Sequence, residues 1–194
     1  MKKFFLFILS SVFILSSLKA QEYEHEIELG VGVWSSNQIV TAFSDIIVTA
    51  LPLGIKMENS TDIGEFHLGY KYSMTERFGL GSIFSFNYGY ADGAVNSIKT
   101  GEFKRYFYTI AVEGDFKYID NPNFKLYSLL GLGVTYYHQN YKEIGSNGTE
   151  KNDELYFNFQ ITPIGVKFGN RIGGFVEAGF GYRGILSAGL FVRL

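Results

Sequence analysis

The chain of 194 residues contains 17 basic and 19 acidic residues but no cysteine, which excludes a disulfide framework and a lipid anchor on cysteine. Aromatic residues make up 18% of the chain, although its mean hydropathy is only +0.06. This length suits one domain, and the near-balanced charge gives no indication of nucleic-acid binding.

The first twenty residues have the composition of a secretory signal peptide. Two lysines precede an apolar stretch from Phe4 to Leu18, and the segment ends at the small residue Ala20. The stretch contains four serines and is shorter than the about 20 apolar residues that span a bilayer, so we favour a signal peptide over an anchor. Cleavage there would remove three lysines and leave one domain, residues 21–194, with 14 basic and 19 acidic residues.

From Tyr23 onward, eight stretches alternate large apolar residues with small or charged ones at a period of two. This alternation predicts strands whose two faces meet different surroundings, as in a barrel with an apolar outside and a polar inside. The predicted strands cover about 23–34, 64–74, 79–90, 105–119, 124–137, 157–168, 176–183 and 186–194.

The last two strands illustrate how the faces are assigned. In the last strand, Leu190 and Val192 share one face with the other aliphatic residues, whereas Gly189 and Arg193 occupy the opposite face. In strand seven, the same alternation places Tyr182 outward with the apolar residues.

Strand six departs from regular alternation. Phe157, Phe159 and Ile161 hold one parity, but Ile164 and the apolar residues after it hold the other. The change of phase falls at a threonine–proline pair, and a proline within a sheet is usually confined to an edge or a bulge. We therefore predict a β-bulge at residues 162–163.

The connections alternate between long and short. Long links are predicted at 35–63, 91–104 and 138–154, and short ones at 75–77, 120–123 and 169–173; the last link, 184–185, is also short. Outer-membrane barrels have short periplasmic turns and longer external loops, and an even strand count leaves both termini in the periplasm.

The first long link contains a predicted helix over residues 36–51. Apolar residues recur there at every third or fourth position until Pro52, and Ser36 is the predicted amino-terminal cap. We favour a helix that rests on the barrel rim or the outer leaflet over a lid or partner-binding helix. The β-branched residues also allow a strand.

The segment from Gly179 to Leu194, together with the eight-strand plan over residues 23–194, resembles the small outer-membrane β-barrels of Gram-negative bacteria, such as the OmpX type and the transmembrane part of OmpA. The resemblance implies an all-β, eight-stranded, antiparallel, up-and-down transmembrane barrel. It implies a monomer in bacterial outer-membrane lipid. Family members usually end in an aromatic residue that the barrel-assembly machinery reads, whereas this chain ends in Leu194.

The inward positions predict a balanced set of charges in the lumen. An eight-stranded barrel is just wide enough for its inward side chains to fill it, and buried ions require partners. We therefore favour an ion-pair network that plugs the lumen over a gated or proton-conducting path. The six acidic and six basic candidates are Glu26, Glu28, Glu65, Lys71, Arg105, Glu113, Asp115, Lys117, Lys125, Glu177, Arg183 and Arg193.

Two sets of contacts are expected within this network. Arg193 lies near the same end as Glu26, where a contact would help to close the last strand onto the first. Lys117 and Lys125 follow the neighbouring carboxylates of residues 113 and 115, which favours pairing over general acid–base chemistry.

No catalytic, cofactor-binding or metal site is predicted. His25, His67 and His138 are dispersed along the chain, and none is paired with a serine on the same strand face as a nucleophile requires. The sequence therefore favours a non-enzymatic outer-membrane protein with a structural or surface-interaction role, whose external partner stays open. The alternatives are a narrow gated channel or transporter and, third, a lipid-modifying barrel enzyme.

Overall fold

The computed structural model describes residues 25–50, 55–95, 98–145 and 148–194, without the side chains of residues 48, 50 and 55–57. The predicted signal peptide lies outside these residues. Within the described ranges, no helix has the length and apolar composition needed to cross a membrane.

Eight strands and one helix make up the fold. They are β1 (His25–Val33), α1 (Ser36–Ala50), β2 (Ile55–Ser73), β3 (Phe78–Val95), β4 (Ile98–Asn121), β5 (Phe124–Glu143), β6 (Thr149–Gly169), β7 (Ile172–Gly181) and β8 (Leu186–Arg193). Each strand pairs antiparallel with the next, and β8 returns to pair with β1. The predicted eight-stranded up-and-down barrel is confirmed, and the predicted helix is present.

The alternation of the sequence becomes an alternation between the two surfaces of the barrel. In β1, exposed and buried residues alternate along the whole strand. The outer positions of the neighbouring strands are apolar, and Leu132 on β5 is 64% exposed. The inner positions hold glycine, polar and charged residues, so the barrel has its apolar surface outside.

The predicted bulge in β6 is confirmed. The pairing of β6 with β7 shifts between Ile161 and Ile164, and its pairing with β5 shifts between Tyr127 and Leu129. The extra residue shifts the alternation of faces by one position after Pro163. Ile164 is therefore exposed, and Gly165 is buried.

The predicted long links at 91–104 and 138–154 are wrong as loops, because most of their residues extend the strands, and the last part of the first link, from Ile55, extends a strand as well. β2 begins at Ile55, the pairing of β3 with β4 continues to Val95 and Ile98, and β5 pairs with β6 as far as Lys142. Both faces of these extensions carry polar residues, so the period-two hydrophobic pattern is absent even though the ladder continues. The short turns lie where the sequence predicts them.

Tyr182 lies inside the barrel and not outside as its parity predicted. Its side chain is fully buried, and its hydroxyl donates a hydrogen bond to Glu113 over 3.0 Å. The flanking Gly181 and Gly184 have φ angles of 139° and 104°, which are open to glycine but not to most residues. These glycines turn the chain into the lumen, so strand alternation ends before residue 182.

The cap of α1 lies one residue earlier than predicted. The backbone amide of Gln38 donates to the hydroxyl of Ser35, and the Ser35 amide donates to the Gln38 side chain, over 3.2 and 2.8 Å. These reciprocal bonds form a capping box, which satisfies amides that the first helical turn leaves free. Ser36 instead donates to Asn158 on β6.

The outward direction of Leu132 predicts the cost of a charge at that position. Leu132→Arg should lower the free energy of unfolding in lipid vesicles by about 2–4 kcal/mol if the residue lies near the bilayer midplane. Asn140→Arg is the matched control, because it lies on the same face of β5 but beyond the apolar belt, where the cost falls to about 0–1 kcal/mol. Urea titration of both variants measures the difference, and equal stabilities would contradict the facing assignment.

Candidate functional site

A single arginine in the β7–β8 turn occupies the centre of the lumen. The Arg183 side chain is completely buried. Its guanidinium donates to both carboxylate oxygens of Glu113 over 2.8 and 2.5 Å, and to Glu177 and Glu28 over 2.9 and 3.2 Å. Three carboxylates from β1, β4 and β7 therefore converge on one cation that spans the barrel.

The approach of this turn to the barrel wall depends on Gly32. A Cβ atom at residue 32 would lie 1.7 Å from the carbonyl oxygen of Arg183, which leaves no space for a side chain. The turn is held by hydrogen bonds from the Ile185 amide to the Val33 carbonyl and from the Arg183 amide to the Gln160 side chain. The backbone of the turn is thus anchored at the position from which the Arg183 side chain enters the lumen.

Two lysines complete the charge balance below the arginine. The Lys71 ammonium lies 3.1 Å from Glu28, and Lys167 donates to both Glu28 and Glu26. The two ammonium groups lie over the ring of Tyr127, 5.2 and 5.0 Å from its centroid. Glu28 therefore meets three cations, which offsets the cost of burying its carboxylate.

Lys167 is absent from the sequence-based set, although a signal for it was present. Once the bulge in β6 is accepted, the outward parity of Ile164, Val166 and Phe168 places Lys167 inward. The structure adds the residue as the seventh buried base of the lumen.

The base of the barrel is closed by the last strand. Arg193 donates to Glu26 over 3.0 Å and to backbone carbonyls of two turns, including that of Asn170 at 2.7 Å. This contact ties β8 to β1 at the expected end. The remaining space below Tyr127, which Asp115 helps to line, measures about 20 Å³.

Lys117 and Lys125 pair with Asp120, whereas the sequence predicted pairing with Glu113 and Asp115. Their ammonium groups lie 3.2 and 3.0 Å from the two carboxylate oxygens of Asp120, at the end of β4. The pairing of β4 with β5 shifts after Lys117, which brings the turn carboxylate to both lysines. Glu113 is left to Arg183.

Glu65 and Arg105 belong to the mouth of the barrel and not to the central network. Glu65 accepts hydrogen bonds from Asn37 and from Ser85, the latter over 2.7 Å, so neutral groups satisfy its oxygens. Arg105 pairs through both terminal nitrogens with Asp45 of α1, over 3.0 and 2.5 Å. The sequence offered no signal for either contact, because both depend on where the helix packs.

Helix α1 is seated in this mouth by its polar face. The Asn37 amide accepts hydrogen bonds from Tyr156 and Asn158 over 2.8 and 3.1 Å, and Gln38 donates to Asp62 over 2.6 Å. The first turn of the helix is therefore buried among inward side chains of β2 and β6. The predicted position of the helix on the rim is therefore only partly correct, because the first turn of the helix enters the mouth.

The hairpin of β3 and β4 extends beyond the apolar belt and carries its own charge cluster. Lys99 lies 2.8 Å from Asp92, which also accepts hydrogen bonds from Tyr90 and Asn59. The bond from Lys99, followed by those from Tyr90 and Asn59, holds the pKa of Asp92 at about 2. The carboxylate consequently stays charged at any neutral or mildly acidic pH.

The histidines occupy separate surroundings. His67 is buried in the lumen beside Phe175, whereas His25 contacts Tyr70 and His138 contacts Asp153 on the outer surface. Over the described ranges, no group of three or more histidine, cysteine, aspartate or glutamate residues is arranged to hold a metal ion.

The central cluster predicts a strong coupling between Arg183 and its carboxylates. Arg183→Met should lower the free energy of unfolding by about 3–5 kcal/mol, because it leaves buried carboxylates without their cation. Adding Glu113→Gln should recover part of that loss, giving a coupling of about 0.5–3 kcal/mol in a double-mutant cycle. Exposed Arg171→Met is the control and should change stability by about 0.5 kcal/mol or less. Strict additivity in urea titrations would contradict the coupling.

The chain matches no protein-family model and no curated protein sequence. Among solved structures it is similar to Ail, the attachment invasion locus protein of Yersinia pestis, with 12% identity and a TM-score of 0.46 over 88% of this chain and 93% of that one. A second structure of Ail, in complex with the heparin analogue sucrose octasulfate, gives 13% identity and a TM-score of 0.45 over 88% and 94%. At these values the likeness carries no functional assignment, and the eight-stranded barrel rests on the strand pairing itself.

Proposed function

We propose that this chain is an integral protein of the bacterial outer membrane, with a sealed lumen and a surface-interaction role at its external mouth. The observation that carries the sealed lumen is the buried Arg183, whose guanidinium is bonded to carboxylates on three different strands. Its mature domain would be residues 21–194.

The outer surface supports the membrane location. Exposed aliphatic residues form a belt around the barrel, and aromatic pairs lie at both of its edges. Tyr88 packs against Tyr106 at one edge, and Phe124 packs against Phe168 at the other. Aromatic rings flank the apolar band of membrane barrels at both interfaces, whereas a water-soluble protein would bury this amount of apolar surface.

The strand lengths support the orientation. At the end of the barrel where the described residues begin and finish, short turns join the strands. At the other end, β2 to β6 extend far beyond the belt. By the usual arrangement of such barrels, the short turns face the periplasm, and α1 with the extended hairpins faces the exterior. The expected partners are outer-membrane lipid and the barrel-assembly machinery.

The packing of the lumen supports its sealing against solutes. Below Arg183, the cavity of about 20 Å³ has room for about one water molecule. Separating the paired ions around it would leave uncompensated charges in a narrow space that is largely excluded from water. A gated channel would require that separation in each opening event.

A planar-bilayer recording tests the sealed lumen. The mature chain should give no stepwise conductance at neutral pH, because opening a path would require the buried ion pairs around Arg183 to separate. A general-diffusion porin inserted in the same bilayer serves as the positive control. Reproducible unitary currents that disappear in the Arg183→Met or Glu65→Gln variant would reject the sealed lumen in favour of the channel.

The apolar face of α1 gives the membrane location a second test. Phe43 and Ile46 are each 63% exposed, and they lie away from the polar contacts of Asn37 and Asp45. The strands β1, β7 and β8 are short, so the wall is low on the side where β1 leads into the helix. We expect this face to contact acyl chains of the outer leaflet.

Tryptophan fluorescence can measure this contact, because Trp34 is the chain's single tryptophan. In a Trp34→Phe background, the F43W variant should be quenched by phospholipids brominated on their acyl chains. The matched control is E150W in the same background, since Glu150 lies on the extended part of β6 beyond the belt. Equal quenching of the two fluorophores would place the helix face in water and contradict the lipid contact.

A further inference from the structure

A pocket with a mixed polar and aromatic wall lies in the mouth, between α1 and the inner faces of β4, β5 and β6. Its volume is about 250 Å³, and Thr41 and Ser44 of the helix form the side opposite the strands. We refer to it as the mouth pocket. The pairing register aligns its strand residues in rows across the three strands.

The outer row of the pocket consists of planar polar groups. Arg105, Gln139 and Asn152 stand side by side on β4, β5 and β6. The charge of Arg105 is already met by Asp45, which accepts two hydrogen bonds from its guanidinium. This row therefore presents amide groups and a neutralised guanidinium, and it offers little net attraction to an anion.

The next row is aromatic and ends in a carboxylate. Phe107 and Tyr137 are neighbours whose rings are tilted by 34°, with centroids 4.8 Å apart, and Glu154 completes the row on β6. Asn152 donates to Glu154 over 3.0 Å, so the carboxylate is oriented beside the rings. Phe107 is buried, whereas Tyr137 is partly exposed to the aqueous vestibule, so Tyr137 keeps ring surface that a ligand could cover.

The inner end of the pocket is closed. Tyr156 lines it and donates its hydroxyl to Asn37 of the helix, whose side chain is also bonded to Asn158. Among the described residues, the pocket is thus closed at its inner end and opens toward the mouth. Its volume suits a single small ring and not an extended chain.

We propose that the mouth pocket binds one neutral monosaccharide unit, such as the terminal residue of a surface glycan. A pyranose ring has an apolar C–H face, which matches the ring of Tyr137 that Phe107 supports from behind, and a rim of hydroxyl pairs. Those hydroxyls match the amides of Gln139 and Asn152 and the carboxylate of Glu154, each of which can hold two vicinal groups. An organic cation would have to enter beside the guanidinium of Arg105, and a wholly apolar ligand would leave the polar row unsatisfied.

This site deepens the proposed surface-interaction role and rests on it, because the glycan must reach the pocket from outside the cell. Binding to the purified protein does not depend on orientation in the membrane. A failure to bind sugar would therefore leave the conductance and lipid-contact results unaffected.

Saturation-transfer NMR on the mature chain in lauryldimethylamine oxide micelles tests the site. Detergents with glucoside or maltoside headgroups are avoided, since they would compete. The probes are the methyl glycosides of glucose, galactose, mannose and N-acetylglucosamine, and at least one should bind saturably with a millimolar or lower Kd. Glu154→Gln and Asn152→Ala should each weaken that binding by about tenfold, through loss of hydrogen bonds to the ligand.

Glu150→Gln is the matched control, because it removes the same type of charge from the same strand outside the pocket; its Kd should equal that of the parent. Heat-dependent electrophoretic mobility verifies that each variant folds, and the two pocket variants provide independent tests. The proposal is overturned if none of the four glycosides binds saturably, or if the pocket variants bind as the parent does. If none of the glycosides binds but tetramethylammonium does, and its binding is lost in the Glu154→Gln variant, the pocket is instead a cation site.

Discussion

The fold depends on the requirement that ions inside a narrow barrel neutralise one another. Arg183 has no access to water, and an isolated buried guanidinium would cost several kcal/mol. Three carboxylates on different strands converge on it, and two lysines and a second arginine balance the charges of the carboxylates below. Because these partners lie on β1, β2, β4, β6, β7 and β8, neutrality requires those strands to be in register. The charge cluster therefore selects the closed barrel over partly paired sheets.

The position of Arg183 also accounts for the asymmetry of the wall. The β7–β8 turn must bend inward to deliver this side chain, and the glycines at 181 and 184 permit the bend. The strands on either side of this turn, β7 and β8, are consequently short, with 10 and 8 residues, whereas β2 to β6 contain 18 to 24. Helix α1 follows the equally short β1 and directs its polar groups into the mouth. A single inward turn thus leads to a low side of the barrel that the helix partly covers.

Strand number, face assignment and the bulge were predictable because each leaves a local trace in the alternation of side chains. The contacts between charges were not, since they join residues such as Glu113 and Arg183 that are 70 positions apart and depend on strand register. Arg105 illustrates the limit: its inward direction follows from parity, but its partner Asp45 lies in a helix whose packing no periodicity fixes. Tyr182 was misplaced because parity holds only while the chain remains a strand.

The two ends of the lumen differ in how readily their contacts can be exchanged. In the centre, Glu28 and Glu177 are held by ions, and removing one partner leaves a buried charge, which is strongly destabilising. In the mouth, most contacts of Asn37, Tyr156 and Gln139 are hydrogen bonds between neutral groups, whose net contribution is about 0.5–1.5 kcal/mol each. Water or a polar ligand can replace such bonds at small cost. The mouth can therefore bind a ligand without a large loss of stability, whereas the contacts in the centre are needed to keep the barrel closed.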